Sequence, residues 1–510
     1  MCTDLNFAVI APIVTLAVAA LVVLVLDLVL PYERSRPWWY VVSLGGVALS
    51  FWYLVGLWSE AGRAVPAFCG AFVLDRFGLL FSAIVLGAAF LCVLASVYRK
   101  EKDTSGYLAL VLWSAMGMMT LAGAQNFLTI FMGLEILSLS LYVIVAFGEG
   151  DAKAKEAAFK YLVLGSIASA AMLYGFAFIY GQTGSMQLAS IASGLEGGAP
   201  LMMKVGVGLV ILAFAFKLAL APFHVWAPDV YQGASAPVTA FMSVGTRAAA
   251  FAGLTRFLIA ALPGPDSDLV TPVWVLAGLS MVVGSVGACV QSNVKRILAY
   301  SSIAHAGYLA TAWLGLSDRG LAAGVFYLAA YLFMNTGAFA VIVWLSRGER
   351  EGDTLRDFAG LFRRRPWLAA AMTLFMLSLA GVPTTAGFAG KIFLVSSALG
   401  SGAGSAAAWL VGLLAATSAI SAYAYVRVIA AMLGPEAAAS AEGAGAAESE
   451  AAAALDAGGG EPAGAATAEA AGIRRSWALT AVVGVAVLGT LYLGVAPGSI
   501  LALADQLLLR

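Results

Sequence analysis

The chain has 510 residues, of which 62% are hydrophobic and only 11% charged; its mean hydropathy is +0.92, whereas soluble domains are roughly a quarter charged. Lys+Arg and Asp+Glu balance at 28 each, so neither a nucleic-acid footprint nor a polybasic membrane-surface protein is indicated. This is the composition of an integral membrane protein, and any chemistry must be sought inside the bilayer.

A helix crosses the hydrocarbon core with about 20 apolar residues. Fourteen segments qualify, at roughly 6–30, 38–58, 74–98, 106–123, 126–148, 156–181, 202–232, 235–262, 271–290, 294–314, 319–346, 366–400, 405–434 and 474–506. The first is longer than a signal-peptide core and lacks a basic leader and a clear cleavage site, so it reads as a retained span. The seventh and twelfth are too long and contain prolines. In "FKLALAPFHVWAPDVYQG", Pro222 removes the N–H that the Leu218 carbonyl needs, and Pro228 does the same to His224. Pro383 interrupts "SLAGVPTTAGFAGKIFLV" in the same way. Irregular backbone at membrane depth survives when packed in protein or lining a wet cavity, so the first break is expected in the centre of the bundle, away from lipid. Discontinuous helices often mark ion sites in transporters, and breaks five spans apart imply a repeat unit that is inverted in the membrane.

Basic residues set the orientation. Arg34, Arg36, Arg99, Lys100, Lys102, Lys153, Lys155, Arg296, the cluster in "SRGEREGDTLRDFAGLFRRRP", and Arg474 with Arg475 follow odd-numbered spans. Arg63, Lys204, Arg256 and Arg319 follow even-numbered ones, which puts both termini outside. The Ala/Gly/Glu-rich stretch 434–472 reads as a disordered cytoplasmic linker, with an acidic docking tail as the alternative.

Ionisable residues inside spans are costly, about 2.5–3.5 kcal/mol each on insertion scales, so they pair and face inward. Glu135, Lys217, Arg247, Lys391, Lys295, His305 and Lys160 fall in such positions, with His224 and Asp229 beside the first break. Snorkelling is an equal alternative for Lys160 and Lys295, and packing or capping for His305 and Asp229. Asp75 and Asp27 read as interfacial. Cys2, Cys69, Cys92 and Cys289 form no CxxC or His/Cys cluster and read as small buried hydrophobes, without an iron–sulfur, zinc or haem site. No metal site and no nucleotide-binding loop is visible.

The segments "FKLALAPFHVWAPDVYQGASAPVTAFMSV", "FMGLEILSLSLYVIVAF", "NVKRILAYSSIAHAGYL" and "SLAGVPTTAGFAGKIFLV" closely resemble the subunit N family of bacterial NADH:quinone oxidoreductase, respiratory complex I, the counterpart of mitochondrial subunit 2. That family belongs to the antiporter-like group shared with Mrp-type cation/proton antiporters. "PDVYQG" is the discriminating piece, since the other members usually have "PDAH" there. The resemblance implies an all-α integral membrane fold of about 14 transmembrane helices, with broken helices 7 and 12. It divides into N-terminal helices 1–3 (1–105), a first repeat of helices 4–8 (106–262), an inverted second repeat of helices 9–13 (263–434), the linker 435–473 and helix 14 (474–510). It also implies a non-redox, proton-translocating role carried by Glu135, Lys217, Lys295 and Lys391, with Arg247 where the family has lysine and His224, His305 and Lys160 as auxiliaries. This chain would bind no cofactor; NADH, FMN, iron–sulfur clusters and quinone would belong to partner subunits. Those partners would be the membrane-arm subunits M, K and J in a bacterial inner membrane.

Burial favours a neutral lysine and a nearby carboxylate restores its charge, so making and breaking a Glu135–Lys217 pair is the expected switch. Lys217 would load from the cytoplasm and pass its proton along a hydrated axis to Lys391. An Mrp-type antiporter subunit and a non-pumping structural subunit are the competing readings.

Overall fold

The computed structural model describes residues 6–98, 103–147, 152–191, 200–261, 271–346, 352–435, 477–504 and 506. The stretch 435–473, apart from its first residue, lies outside the described residues, as do Cys2, Arg99, Lys100, Lys102, Arg474 and Arg475.

Among the described residues the architecture is all-helical apart from one short hairpin. The N-terminal helices are α1 (Ala11–Val29), α2 (Tyr32–Gly56), α3 (Arg76–Ala95), α4 (Thr104–Ala122), α5 (Phe127–Val145) and α6 (Ala152–Thr183). Next come α7 (Leu201–Leu218), α8 (Ala227–Gly233), α9 (Ala236–Phe241) and α10 (Arg247–Ala261). The second half holds α11 (Thr271–Cys289), α12 (Val294–Ala310), α13 (Asp318–Leu345), α14 (Leu361–Arg364), α15 (Pro366–Ala380), α16 (Ala386–Leu399) and α17 (Gly404–Leu433). Finally α18 (Trp477–Val495) and α19 (Gly498–Ala504) close the described chain. Strands β1 (Val65–Ala67) and β2 (Phe72–Leu74) pair antiparallel, with Pro66 opposite Val73. Among the described residues eleven helices are long and apolar enough to cross a bilayer, and α15 and α16 are shorter apolar helices.

Helix α13 is the central mast. Its best apolar window is 89% buried, and it packs against α3, α9, α15, α16 and α18. A helix apolar on all sides belongs inside a bundle. Around it, α4 lies on α5, and α11 lies on α12. Small residues allow these close approaches: a Cβ on Gly117 would sit 2.8 Å from the Gly133 carbonyl oxygen.

The seventh and twelfth spans are both interrupted, and by the same device. Helix α7 ends at Leu218, the residue whose carbonyl Pro222 cannot serve. Ala219 turns left-handed (φ 56°), and the Leu220 N–H reaches back to the Ala215 carbonyl at 2.8 Å. Helix α15 ends at Ala380, Gly381 turns left-handed (φ 86°), and the Val382 N–H reaches back to the Leu377 carbonyl at 3.0 Å. Each is a left-handed C-terminal cap with the six-to-one bond of a Schellman turn. Pro228 behaves differently from the expectation of a second disruption. It occupies the first turn of α8, where its missing N–H is harmless, and the His224 carbonyl accepts the Ala227 N–H at 2.9 Å.

The start of α5 and the start of α12 also match. Asn126 caps α5 by accepting the Thr129 N–H (2.7 Å), and Asn293 caps α12 by accepting the Arg296 N–H (3.1 Å). Each Asn forms an isolated antiparallel bridge, Asn126 with Gln187 and Asn293 with Thr354, at identical sequence separation.

Four expectations need correction. Cys69 is disulfide-bonded, in the turn of the β1–β2 hairpin, whereas Cys92 and Cys289 are in no disulfide. Arg256 is not a loop charge: its side chain is buried in α10, where the Nη2 group donates to Asp75 Oδ1 at 2.7 Å. Asp75 is correspondingly not interfacial but buried, and it also caps α3 through the Gly78 N–H. Finally, the first break is central only in part, because Lys217 to Ala221 are buried while Pro222 and Val225 face outward.

Candidate functional site

Besides the Arg256–Asp75 pair, five ionisable side chains among the described residues lie sealed within the bundle: Lys217, Arg247, Lys295, His305 and Lys391, with exposures of 4%, 4%, 1%, 1% and 6%. Among the described residues no carboxylate oxygen lies within 4.0 Å of Lys217, Arg247 or Lys391. Their surroundings are aromatic rings, hydroxyls and backbone carbonyls.

Lys217 occupies the last turn of α7. Its Nζ sits 5.1 Å from the Tyr142 ring centre, 5.0 Å from that of Tyr161 and 5.8 Å from that of Phe216. It lies 3.4 Å from the Tyr142 hydroxyl, a long hydrogen bond. Tyr161 stacks on Trp226 at 4.6 Å, and the Trp226 indole N–H donates at 3.0 Å to the Phe216 carbonyl, which also accepts the Ala219 N–H in the cap where the helix stops. The break therefore builds the cage: the turn after α7 returns Trp226 to the lysine it interrupts.

The expected direct Glu135–Lys217 pair is not formed. Glu135 accepts the Ser169 hydroxyl of α6 instead. Seven residues separate Glu135 from Tyr142 on α5, which places them on one face about 10 Å apart, and Tyr142 takes the position next to the lysine. Gly165 makes this possible, because a Cβ there would overlap the Tyr142 hydroxyl. Gly165→Ala should therefore displace Tyr142 and lower stability by about 1–3 kcal/mol through overpacking. Heating the purified assembly in mild detergent measures the loss, and adding Tyr142→Phe should recover only part of it, because the ring Cζ would still lie 2.6 Å from the new methyl.

Arg247 begins α10 directly after a π-helical turn, Met242–Thr246, inside what reads in sequence as one continuous span. Such turns often lie at functional positions. One guanidinium N–H donates to the Ser302 hydroxyl, and the group sits 5.1 Å from the Tyr331 ring centre. Its Nε and Nη1 find no protein acceptor. Ser302 is 3.3 Å from the Tyr231 hydroxyl on α8. One helical turn along α12, His305 has a phenol on each ring nitrogen: Tyr327 at 2.5 Å from Nδ1 and Tyr425 at 3.2 Å from Nε2.

Lys391, on α16, folds back on the second break. Its Nζ donates to the carbonyls of Leu379 (3.0 Å) and Ala380 (2.9 Å) and to the Ser418 hydroxyl (2.6 Å). These are the C-terminal carbonyls of α15, where a cation is favoured. Lys295 does not snorkel; it is buried and donates to the Ala234 carbonyl at 2.6 Å.

Lys160 and His224 stand apart. Lys160 is 41% exposed and pairs with Glu156 and Asp229, and Asp229 also accepts from Arg296, all at 2.8 Å. His224 is half-buried in the turn after α7, with its Nδ1 unpartnered by protein. Sequence reasoning picked out the charged residues and overlooked Tyr142, Tyr161, Tyr231, Tyr308, Tyr327, Tyr331 and Tyr425. The available signal was tyrosine inside apolar spans at helical spacing, Tyr327 and Tyr331 on α13 and Tyr142 two turns from Glu135.

Residues 124–433, which include both breaks and every buried charge of the site, match the family described as NADH:quinone oxidoreductase/Mrp antiporter, TM. NADH-quinone oxidoreductase subunit N 1 of Symbiobacterium thermophilum is 45% identical over 98% of each chain. The chain belongs to the NADH-quinone oxidoreductase subunit N family. Subunit N of Trichlorobacter lovleyi is 42% identical over 83% of this chain and 87% of its own. A chain of respiratory complex I from Thermus thermophilus, solved with bound aureothin, superposes with a TM-score of 0.76 at 34% identity, covering 97% of this chain and 99% of its own. A chain of the Mrp complex from Dietzia sp. shares the fold, with a TM-score of 0.79 at 22% identity over 98% and 97% of the two chains. Subunit N relatives and the antiporter-like fold support a proton-translocating membrane subunit.

Proposed function

We propose that the subunit moves protons through a relay of buried groups, with Lys217 and Lys391 as carriers and Arg247 as a fixed charge between them. Lysine can lose its proton when desolvated, whereas arginine stays charged. The observation that carries this reading is the pair of buried lysines, each beside a helix break and each without a carboxylate within 4.0 Å. A cation–π contact contributes about 0.5–2 kcal/mol per ring. Moving a proton against about 150 mV requires ~3.5 kcal/mol. Rearranging the cage of Tyr142, Tyr161 and Phe216 is therefore on the scale needed to switch Lys217, without a salt bridge being made or broken. Glu135 then acts from a distance, through the field it casts along α5.

The redox energy would come from partner subunits, with the subunit M, K and J families as the expected neighbours in the membrane arm. The fold does not fix the electron donor, since a chain of the archaeal membrane-bound sulfane sulfur reductase superposes with a TM-score of 0.80. The shared caps at Asn126 and Asn293 and the shared breaks after α7 and α15 support two inverted five-helix repeats, 106–262 and 263–434, within fourteen spans. With both termini outside a bacterial plasma membrane, the β1–β2 hairpin faces the oxidising side, and a disulfide at Cys69 fits that compartment.

Lys217→Ala in the whole complex, reconstituted in proteoliposomes, should assemble and transfer electrons while the proton-to-electron ratio falls by this subunit's share. An unchanged ratio would remove the assignment. The shared fold with the Mrp complex favours a second reading, a cation/proton antiporter. Cation-driven proton movement by the isolated subunit, with no electron donor present, would establish it.

A further inference from the structure

Arg247 cannot release a proton, so a path from Lys217 to Lys391 must pass it by another route. Two neighbouring hydroxyls of α12 diverge at this point. Ser302 meets Arg247 and the Tyr231 hydroxyl, on the side of the first break. Ser301 meets the Tyr425 hydroxyl at 2.5 Å, and Tyr425 reaches His305 Nε2 at 3.2 Å, while His305 Nδ1 meets Tyr327 at 2.5 Å. Three helices, α12, α13 and α17, thus contribute one unbroken string, Tyr327–His305–Tyr425–Ser301, every member of which is buried. Lys391 borders it, with its Nζ 5.2 Å from the ring centre of Tyr308, the residue that packs edge-on to His305 at 5.4 Å.

We propose that Tyr327, Tyr425 and Ser301 are proton-carrying residues that act with His305 as a neutral hydrogen-bonded wire within the second half, beside Lys391; the proposal rests on the pumping reading above. A neutral imidazole has one donor and one acceptor nitrogen, so the string is polarised. In one tautomer the Tyr327 hydroxyl donates to Nδ1, the Nε2–H donates to the Tyr425 oxygen, and the Tyr425 hydroxyl donates to the Ser301 oxygen. A proton arriving on the Tyr327 oxygen releases that hydroxyl's own proton to Nδ1. The Nε2 proton passes to Tyr425, the Tyr425 proton to Ser301, and the Ser301 proton leaves. Each oxygen and the imidazole gain one proton and lose one, so the string is neutral before and after, with its polarity reversed. Rotation of the three hydroxyls, together with loss of the Nδ1 proton to water and gain of one from water at Nε2, resets it. Concerted transfer also avoids a second cation beside Arg247, since the guanidinium and His305 border the same Tyr331 ring, at 5.1 and 5.4 Å.

The test uses the complete complex in proteoliposomes. Tyr327→Phe and Tyr425→Phe keep the rings and remove the hydroxyls; each should lower turnover against a proton gradient at least about tenfold, below the ~10²-fold that a positioned proton-transfer group contributes because water partly substitutes. Electron transfer with the gradient collapsed should be retained. Ser301→Ala should act likewise and Ser301→Thr, which restores a hydroxyl, should recover the rate; this pair decides the matter if the tyrosine variants do not assemble. Full gradient-opposed turnover in the phenylalanine variants, or equal rates for Ser301→Ala and Ser301→Thr, overturns the wire. If Lys217→Ala has stopped pumping in the same assay, only the wire falls. If Lys217→Ala also pumps fully, the pumping reading falls with it.

Discussion

Arg256→Leu is expected to destabilise the subunit by about 3–5 kcal/mol, the usual consequence of leaving one member of a buried ion pair uncompensated. Arg256 and Asp75 are joined at 2.7 Å with side-chain exposures of 2% and 5%. The arginine Nε also donates to the Ala122 carbonyl at 2.7 Å, and the guanidinium stands 5.1 Å from the Phe77 ring centre. One side chain therefore fastens the end of α10 to the start of α3 and the end of α4. Removing it leaves a carboxylate in apolar surroundings and an orphaned carbonyl on α4. Asp75→Asn in the Arg256→Leu background should recover much of the loss, because asparagine is neutral yet still accepts the Gly78 N–H that caps α3. Unfolding in mixed detergent micelles measures both variants. Equal stability of Arg256→Leu and the parent would mean that water reaches the pair.

Apolar periodicity made the helical class, the approximate span boundaries and both interruptions legible, because a proline without an N–H in a long apolar run has few alternatives. The position of each break was legible too: α7 stops at Leu218, the residue whose carbonyl Pro222 orphans. Pro228 misled because a proline that ends one helix and a proline that begins another look alike in sequence. The matching starts of α5 and α12 were readable in a quieter signal. "AQNFLTI" and "QSNVKRI" each place an Asn immediately before an apolar helix, and those two Asn residues make the matching caps of α5 and α12.

The site was legible as a set of charges but not as a set of contacts. Charged residues stand out in an apolar span; a tyrosine does not, so the cage around Lys217 and the phenols around His305 passed for packing. The expected partner of Lys217 was Glu135 because opposite charges attract. Tyr142 holds that position because Gly165, on another helix, opens a slot for its hydroxyl, and no spacing rule within α5 reveals a missing side chain on α6. The buried Arg256 was misread for a related reason: near the end of an apolar run, a charge facing inward and one facing water have the same sequence signature.

Lys217→Arg should stop this subunit's proton flux as fully as Lys217→Met, each at least about 100-fold, because arginine keeps the charge but does not release the proton. The comparison separates two roles that Lys217→Ala merges. If Lys217 served as a static positive charge, held by the rings of Tyr142, Tyr161 and Phe216, arginine would preserve function and methionine would abolish it. If it carries the proton, the two fail alike, although only methionine removes the charge. Arg247→Lys is the mirror experiment. Lysine is smaller than arginine, keeps a cation beside Tyr331 and can reach the Ser302 hydroxyl, so pumping should stay within about twofold of the parent if a fixed charge is all that position supplies. Measured as protons moved per electron in proteoliposomes, the pair assigns titration to position 217 and constancy to position 247. A working Lys217→Arg enzyme would place the moving proton on other groups, with the aromatic cage serving only to bury a permanent charge.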